Sequence, residues 1–398
     1  MSAPGDQRAF GQRVAFLRKK LGLSQAEFAS RLDRSETWLS QVERGARRID
    51  RMSVLERLAD ALGVPVAELA PDQKIVQADV EPAASALSLA LSSSDALHAV
   101  LAGTRPFDVR DLDRQAVKAW EYAHGSQYDE LATLLTDLLP ELERSARNAS
   151  GDDEIVVNVA KARSYLAVAG VLSKLGETGA AWVAVDRAIT AAEKADDPLL
   201  MAEGAFRLAI VFQVARRFDL AIRAAESAAH ALDERAAEGD APAIAVRGAL
   251  KLQLAVASAR LNDARMAYLY LDEARAAADG LGEDRNDYET EFGPTNVLLH
   301  DVAVAVELGD AGRALRVAET VDASGLSPER QGRLLIDVAR AQAQLRQTDA
   351  VVATLRQGLD LAPQQFESHA RVRELVADLV QSDRTGSQEL RDLAQRVT

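Results

Sequence analysis

The sequence contains no cysteine and only five histidines among its 398 residues. The lack of cysteine excludes disulfide bridges, thiolate zinc sites and thiol catalysis, and it fits a reducing compartment. The histidines do not share the spacing of metal ligands; they are His98, His124, His230, His300 and His369. We therefore predict that the chain holds no metal and no cofactor.

Common motifs of catalysis are also missing. The sequence has no phosphate-binding glycine loop ending in Lys-Ser or Lys-Thr, no His-Glu-x-x-His and no Gly-x-Ser-x-Gly. The acidic stretch Gly280–Gly293 lacks the Asp-x-Asn-x-Asp-Gly pattern of a calcium loop, and we interpret it as a solvated loop between repeats. We expect a protein that is not an enzyme.

Long uncharged apolar segments are scarce. Met1–Phe10 is polar and charged, unlike a secretory signal. The most apolar segments, Ile155–Leu175 and Ala243–Ala259, are interrupted by basic residues, whereas a membrane-spanning helix needs about 20 predominantly apolar residues. We expect a cytoplasmic protein with no membrane partner.

Aromatic residues make up only 5% of the sequence, whereas alanine is abundant. Alanine is the best helix former and a small packing residue. The shares of hydrophobic residues, 48%, and of charged residues, 27%, are ordinary for a soluble globular protein, and the length suggests more than one domain. The composition favours an all-α fold.

Charge is distributed unevenly along the chain. The formal net charge is -14, but the segment from Arg8 to Arg57 holds twelve basic and six acidic residues. This segment therefore carries +6, and the remainder carries -20. Such asymmetry is informative about partners, because a basic segment is attracted to phosphates and an acidic one is repelled. The charge pattern favours nucleic-acid binding by the N-terminal part.

Residues 8–70 carry the pattern of a small five-helix domain. Apolar residues recur at helical spacing from Phe10 to Leu21, and Gly22 ends this first helix. The spacing of apolar residues and of glycine or proline predicts four more helices. They run from Ser24 to about Leu32, from Glu36 to Arg44, from Ser53 to Leu62, and from Pro65 to about Leu69.

The second and third helices have the pattern of a helix-turn-helix. Ser24 and Glu27 have the spacing of a capping box, and the turn Asp33–Ser35 has three residues, with Ser35 as a good N-cap. We expect Leu39 and Val42 to point into the core. The opposite side of the third helix would present groups suited to base edges: Thr37, Ser40, Gln41 and Arg44, with Glu36 at its N-terminal edge.

Phosphate contacts are expected on both sides of this helix. Gln25 begins the second helix, where an amide and a helix N-terminus can hold a phosphate. Arg44, Arg47 and Arg48 would contact the flanking backbone. The predicted partner is double-stranded DNA.

These residues also carry a family resemblance. Leu23–Ala29, Trp38–Gly45 and Leu55–Val64 resemble, in order, the segments of the Cro/repressor-like helix-turn-helix family called XRE. The resemblance implies a lambda-repressor-like fold and DNA contacts at Gln25, Ser35, Glu36, Thr37, Ser40, Gln41 and Arg44. It also implies a structural role for Glu43. Asp33 stands where the family usually has glycine, and aspartate tolerates the left-handed conformation better than most residues.

Residues 108–381 show repeated helix pairs after a linker at 71–107, which contains a possible short helix through Leu87–Leu91. The last residues of six similar turns lie at 131, 181, 221, 267, 314 and 351. The pattern resembles tetratricopeptide repeats, although those repeats run about 34 residues and these are longer. We predict a tetratricopeptide-like α-solenoid that is capped by a helix from Gln364 to Val380 and has a frayed tail from Ser382.

The first helix of each pair should line the concave face of this solenoid. Amides there can pair with a peptide backbone, and Lys or Arg can hold a carboxylate. The candidate ligand-binding residues are Asn158, Lys161, Tyr165, Arg207, Gln213, Lys251, Gln253, Asn296, His300 and Arg340.

Together these features indicate a DNA-binding transcriptional regulator. The resemblance implies a homodimer that reads an inverted-repeat operator, and a repeat domain that senses a peptide or small-molecule effector or a protein partner. An alternative is a repeat scaffold acting mainly through protein–protein contacts, with an autoregulatory or incidental helix-turn-helix.

Overall fold

The computed structural model describes residues 4–32, 36–45, 58–59, 61–64, 69, 82–91, 107–382 and 388–397. The chain forms two compact units, Met1–Val80 and Glu81–Thr398. In the described ranges the regular elements are all helical, and one isolated bridge joins Arg285 and Phe292. The prediction of an all-α fold is confirmed.

The first unit, which we call the head, contains α1 (Pro4–Lys20), α2 (Gln25–Arg31) and α3 (Glu36–Glu43). Gly22 adopts a φ of 72° after α1, the left-handed conformation in which glycine avoids the Cβ clash of other residues. The capping box is present, since the Ser24 backbone donates to Glu27 and the Glu27 backbone donates to the Ser24 hydroxyl. These local signals set where α1 ends and α2 begins.

A single apolar cluster holds the head together. Its fully buried members include Val14 on α1, Phe28 on α2, and Leu39 and Val42 on α3. Leu58, Ala59, Leu62 and Leu69 belong to the same cluster. The predicted fourth and fifth helices lie largely outside the described residues, as do the turn Asp33–Ser35 and most of the predicted linker.

The second unit, which we call the body, is a succession of helices. Its first half contains α4 (Pro82–Ala90), α5 (Val109–His124), α6 (Tyr128–Asn148), α7 (Asp152–Lys174), α8 (Thr178–Lys194), α9 (Pro198–Val214), α10 (Phe218–Ala231) and α11 (Asp233–Ala237). The second half contains α12 (Ala241–Arg260), α13 (Ala264–Leu281), α14 (Pro294–Glu307), α15 (Ala311–Ala318), α16 (Pro328–Gln344), α17 (Thr348–Leu361), α18 (Pro363–Ser368), α19 (Ala370–Ser382) and α20 (Gln388–Val397).

Six helix pairs turn at the six predicted positions and share one turn geometry. The pairs are α5–α6, α7–α8, α9–α10, α12–α13, α14–α15 and α16–α17. The second residue of each turn has positive φ: Ser126, Gly176, Arg216, Asn262, Gly309 and Arg346. The next backbone N–H donates to the carbonyl five residues earlier, as in a Schellman motif. The same cap also ends α8 at Asp196 and α11 at Gly239, so it recurs at helix ends both within and between the pairs.

The first helices of the pairs stack on one another in chain order. They are buried on most sides, as in α7 and α12, where alanine, valine and leucine fill the interior. The stack also closes on itself, because α16 contacts α5. The Gln364 side-chain oxygen accepts hydrogen bonds from the backbone N–H groups of Tyr128 and Asp129, at 2.5 and 3.3 Å.

Among the described helices, α7 alone is long enough and apolar enough to cross a membrane. In the structure 72% of its apolar stretch is buried inside the body. Burial of this kind is typical of a core helix, and the basic residues predicted to interrupt it, Lys161 and Arg163, form ion pairs with Glu143 and Asp113.

The structure differs from the sequence-based expectations at the C-terminal end of the body. At the N-terminal end, α4 overlaps the possible short helix of the predicted linker and packs on the body through Leu87, while Arg187 donates to the carbonyl of Leu91 at 2.9 Å. The predicted capping helix from Gln364 is broken at His369, where ψ is 116°. The prediction of a frayed tail is wrong for 388–397, because α20 buries Leu390, Leu393 and Val397.

The stretch Gly280–Gly293 is solvated only in its first part, where Gly282, Glu283, Asp284 and Asn286 are exposed, and not in its last four residues. Phe292 and Thr290 are fully buried, and the Phe292 ring lies over Gly248 of α12. Tyr288 donates to the Asp197 carboxylate at 3.2 Å. We call residues 283–293 the inserted loop. Its residues contact Arg207 on α9, Gly248 on α12 and Arg330 on α16.

Candidate functional site

Helix α3 separates an apolar face from a polar one. Leu39 and Val42 are fully buried in the head core, whereas Ser40 and Gln41 are half-buried and Arg44 is exposed. The Arg44 guanidinium donates to the carbonyl of Ser40 at 3.2 Å. Three of the predicted base-contacting side chains are thus available on one surface of the head.

For the other predicted DNA contacts, the structure gives at most a position along α3. Glu36 and Thr37 belong to α3, which fixes their position along the helix. Ser35, Arg47 and Arg48 lie outside the described residues.

A buried ion pair orients α3. The Arg18 guanidinium donates to both carboxylate oxygens of Glu43, at 2.6 and 3.0 Å, and to the carbonyl of Leu23 at 2.6 Å. Both side chains are less than 10% exposed. Hydrogen bonding to Glu43 raises the pKa of Arg18 above its usual value. Because one partner lies on α1 and the other on α3, the pair sets the angle of α3.

Gln25 joins this network. Its side-chain amide nitrogen donates to the Glu43 carboxylate at 2.6 Å. The amide oxygen and the N-terminus of α2 are the groups that remain for an outside partner. The pattern of the sequence could not show this contact, because Gln25 and Glu43 are 18 residues apart.

The body contains a partly open cavity of about 100 Å³ on the face formed by the first helices. Five of the ten predicted ligand-binding residues line it: Arg207, Gln213, Gln253, Asn296 and His300. They come from α9, α12 and α14. The structure therefore gathers half of the candidates at one place.

The other five candidates lie away from the cavity lining and have partners of their own. Asn158 donates to the carbonyl of Glu154 in its own helix at 2.8 Å. Lys161 and Tyr165 both bond to Glu143, at 2.8 and 2.7 Å. Lys251 pairs with Glu273 at 2.7 Å. Arg340 pairs with Asp337 and Glu307, at 2.8 and 3.3 Å.

Several lining residues were not predicted from the sequence. They are charged residues of α7, α12 and α16, namely Lys174, Arg260, Glu329, Arg330, Arg333 and Asp337. Charged residues on a helix usually form a solvated face. The spacing of Arg330, Arg333 and Asp337 on one side of α16 was the available signal.

A chain of polar contacts crosses the cavity wall. The Gln213 amide nitrogen donates to the Gln253 oxygen at 2.8 Å, and Arg260 donates to the Gln213 oxygen at 3.1 Å. Arg260 also pairs with Glu307 at 3.2 Å. These contacts tie α9, α12 and α14 together and fix the orientation of the two amides.

Burial and neighbouring charges shift the pKa values around the cavity. Burial lowers the pKa of His300 to about 3, with a further contribution from Arg330, so the ring is neutral at neutral pH. Burial raises the pKa of Glu203 to about 8, against the opposing effect of Arg207. Although burial alone would raise it, the pKa of Glu307 is lowered to about 2 by Arg340, Arg371 and Arg260.

The inserted loop adds polar contacts beside the cavity. Arg207 donates to the carbonyl of Glu289 at 2.6 Å, and Arg330 pairs with Glu291 at 3.2 Å. Glu291 also accepts from the backbone and hydroxyl of Ser327, at 3.1 and 3.0 Å. The loop therefore contacts two of the cations that line the cavity.

These features define an all-α protein with a helix-turn-helix head and a solenoid-like body of helix pairs. The profile of the helix-turn-helix domain family matches residues 9–71. Control protein C.MunI from Mycoplasma sp is 38% identical over 64 residues, which cover 16% of this chain and 85% of that protein. Through its head, the chain belongs to the helix-turn-helix family of DNA-binding regulators.

Among solved structures, the crystal structure of ComR from Streptococcus suis is similar to this chain at 15% sequence identity. The alignment covers 72% of this chain and 93% of that chain, with a TM-score of 0.18.

Proposed function

We propose that this protein is a cytoplasmic transcriptional regulator whose head binds a specific DNA sequence and whose body senses an effector. The observation that carries the proposal is the polar surface of α3, where Ser40, Gln41 and Arg44 are accessible. The Arg18–Glu43 pair fixes the helix that presents them. A preformed helix lowers the ordering cost of binding in the major groove.

The operator is proposed to be an inverted repeat read by a homodimer. Two-fold symmetric proteins place two recognition helices on half-sites about one helical turn apart. The net charge of +6 between Arg8 and Arg57 supports contacts with the phosphate backbone. In this proposal residues 8–70 bind DNA, 71–107 connect the two units, and 108–381 mediate dimerisation.

The body is proposed to act as a tetratricopeptide-like sensor of a small peptide, a small molecule or a protein partner. Its recurring Schellman turn and stacked first helices support a repeat architecture. Its cavity supports sensing, because a cavity lined by several convergent polar groups is the usual form of a ligand site.

The test is selection of genomic DNA fragments by the purified full-length protein, followed by affinity measurement on the enriched sequence. The double variant Gln41→Ala with Arg44→Ala removes two of the proposed contacts. Since each good base contact contributes about 1–3 kcal/mol of discrimination, we expect affinity to fall by at least tenfold and the motif to lose enrichment.

The matched control is Gln12→Ala with Arg31→Ala, which removes the same chemical groups from exposed positions on α1 and α2. We expect this control to retain the motif. A motif enriched equally by all three proteins, or by none, would contradict DNA reading by α3. Helical content measured by circular dichroism would show that each variant is folded.

A further inference from the structure

We propose that the body cavity is a site for a small amphipathic anion, with a carboxylate or phosphate group on a short apolar chain. The inference rests on the proposed sensing role of the body and specifies the chemistry of what the body senses. The cavity lies among α7, α9, α12, α14 and α16, so its occupant would touch helices from five repeats.

The first argument is charge. The cavity lining contains five cationic side chains, on Lys174, Arg207, Arg260, Arg330 and Arg333, and two carboxylates, on Glu329 and Asp337. The residues outside the segment Arg8–Arg57 carry a formal charge of -20. Two more carboxylates, Glu291 and Glu307, pair with Arg330 and Arg260 from outside the lining. The positive charge that is left favours an anion over a cation at this place.

The second argument is a local surplus of arginine. Arg260, Arg340 and Arg371 share the Glu307 carboxylate at 2.9–3.3 Å. Arg340 also shares Asp337 with Arg333, which lies at 3.4 Å. Four guanidinium groups thus share two carboxylates.

This surplus has a measurable consequence for one of the four. Burial, together with the neighbouring Arg371, lowers the pKa of Arg260 to about 10. A further anion would relieve this repulsion between buried cations.

The third argument is unused hydrogen-bonding capacity. The Nε of Arg207 and the Oδ1 of Asn296 are buried and have no hydrogen-bond partner among the described residues. The two residues are 6% and 1% exposed, and both line the cavity. Buried polar atoms without partners are rare and require an explanation. An anionic group that accepts from the Arg207 Nε would satisfy that atom. The Asn296 oxygen needs a donor, which a singly protonated phosphate has and an ionised carboxylate lacks.

Glu203 does not supply the missing charge for Arg207. Its carboxylate lies 3.6 Å from the Arg207 Nε, and neither carboxylate oxygen has a hydrogen-bond partner among the described residues. Because burial raises its pKa to about 8, the group is mostly protonated at neutral pH. Glu203 in its neutral form therefore does not compensate the charge of Arg207.

The apolar side chains of the lining indicate that the occupant also has an apolar part. These side chains are Ile210, Val214, Val256, Leu299, Ala303 and Leu334. A volume of about 100 Å³ limits the occupant to a small molecule. A cationic end beside an apolar wall suits an anion with a short hydrocarbon chain.

The test is isothermal titration of the full-length protein with hexanoate, hexyl phosphate and hexylamine. The first two carry the proposed anion, and the third carries the opposite charge on the same chain. We expect saturable binding of at least one anion and none of the amine. Binding of hexanoate alone, of hexyl phosphate alone or of both would support the site and identify its head group.

The variant Arg333→Gln removes one cation whose side chain is 42% exposed and which the fold therefore tolerates. We expect it to weaken anion binding by about tenfold, the effect of losing one charge-assisted hydrogen bond. The matched control is Arg217→Gln, at an arginine that also pairs with an aspartate but lies outside the cavity lining. The control should bind as the unmodified protein does.

Three results would overturn the inference: no binding of either anion up to about 10 mM, equal binding of hexylamine, or unchanged affinity in Arg333→Gln. These results are distinguishable from failure of the regulator itself. A protein that selects a DNA motif but binds neither anion leaves the regulator standing and removes the anion site. A protein that binds an anion but selects no DNA motif keeps the anion site and removes the proposed regulator.

Discussion

At the scale of single residues, Gly11 shows how closely α1 and α3 approach. A Cβ atom on Gly11 would lie 2.4 Å from the carbonyl oxygen of Val42 and 2.6 Å from that of Glu43. Replacing a helical glycine by alanine normally stabilises a helix by about 1 kcal/mol. Here the clash is with backbone and cannot be relieved by rotation of a side chain, so the clash dominates.

We therefore predict that Gly11→Ala destabilises the head by roughly 1–3 kcal/mol and weakens DNA binding, because α3 must move. The measurement is thermal unfolding together with affinity for the selected DNA. The control is Gln12→Ala at the adjacent exposed position. Unchanged stability and affinity in Gly11→Ala would show that α1 and α3 are not packed this closely.

His300 predicts a dependence of stability on pH. Its Nδ1 lies 2.9 Å from the carbonyl oxygen of Asn296, and burial lowers its pKa from 6.5 to about 3. Below pH 6.5 the unfolded chain binds a proton at this histidine and the folded protein does not. The stabilising contribution is therefore complete above pH 6.5 and is lost as the pH falls towards 3.

We expect His300→Gln to lose less stability than the unmodified protein on acidification from about pH 7 to about pH 5, with a difference of up to about 1.4 kcal/mol per pH unit. Urea unfolding at each pH measures the free energy of unfolding. The control is His230→Gln, at a histidine whose side chain is 87% exposed. Parallel curves for His300→Gln and the unmodified protein would disprove the prediction.

The cavity shows which site residues a sequence pattern can predict and which it cannot. Helical spacing indicated the kind of helix that lines the cavity, since five of the six first helices contribute residues and α5 does not. It could not separate Arg207, which lines the cavity, from Lys161, which is paired with Glu143. That difference depends on contacts with other helices, which the order of residues in one helix does not encode.

At the scale of elements, the sequence predicted features that depend on neighbouring residues, such as helix ends. It did not predict features that depend on contacts between distant helices. The six turns were predicted because the helix cap at each is formed within a few residues. The inserted loop was missed because its burial depends on Gly248, which lies 44 residues before Phe292 on another helix. Its acidic side chains suggested solvent, whereas Arg330 and Ser327 pair with Glu291.

The contact between Gly248 and Phe292 is the basis of a prediction about the loop. A Cβ atom on Gly248 would lie 2.1 Å from the Phe292 ring, which is fully buried. We expect Gly248→Ala to displace this ring, and with it the inserted loop, from α12. Overpacking of a buried contact of this kind costs about 1–3 kcal/mol.

Limited proteolysis detects this displacement, with cleavage expected within residues 283–293. Tyr288, Glu289 and Glu291 have positive φ, a strained backbone that the packed neighbours must hold in place. The control is Gly179→Ala on α8, where a Cβ atom would meet nothing within 4 Å. Equal resistance of both variants to protease would contradict the proposed packing.

At the scale of the whole molecule, the charge of the two units differs in sign, and this difference was visible in the sequence. The closure of the body was not visible. It depends on Gln364 reaching the start of α6, which lies 236 residues earlier in the chain. Lys174 and Glu329, at 3.2 Å, add a second contact between early and late repeats. A solenoid closed in this way has fewer ways to change its curvature than an open one.

The closing contact gives the last prediction. Gln364 accepts from two backbone N–H groups at the N-terminus of α6, groups that a helix cannot satisfy by itself. We expect Gln364→Ala to remove this shared acceptor from both N–H groups and to accelerate hydrogen exchange at Tyr128 and Asp129. The matched control is Gln347→Ala, at a helix start where the side chain makes no capping bond. If exchange at α6 is equally slow in both variants, other contacts must close the body. If it is faster in Gln364→Ala alone, this glutamine joins the first and last repeats, and an effector in the cavity would act on a closed body rather than an open one.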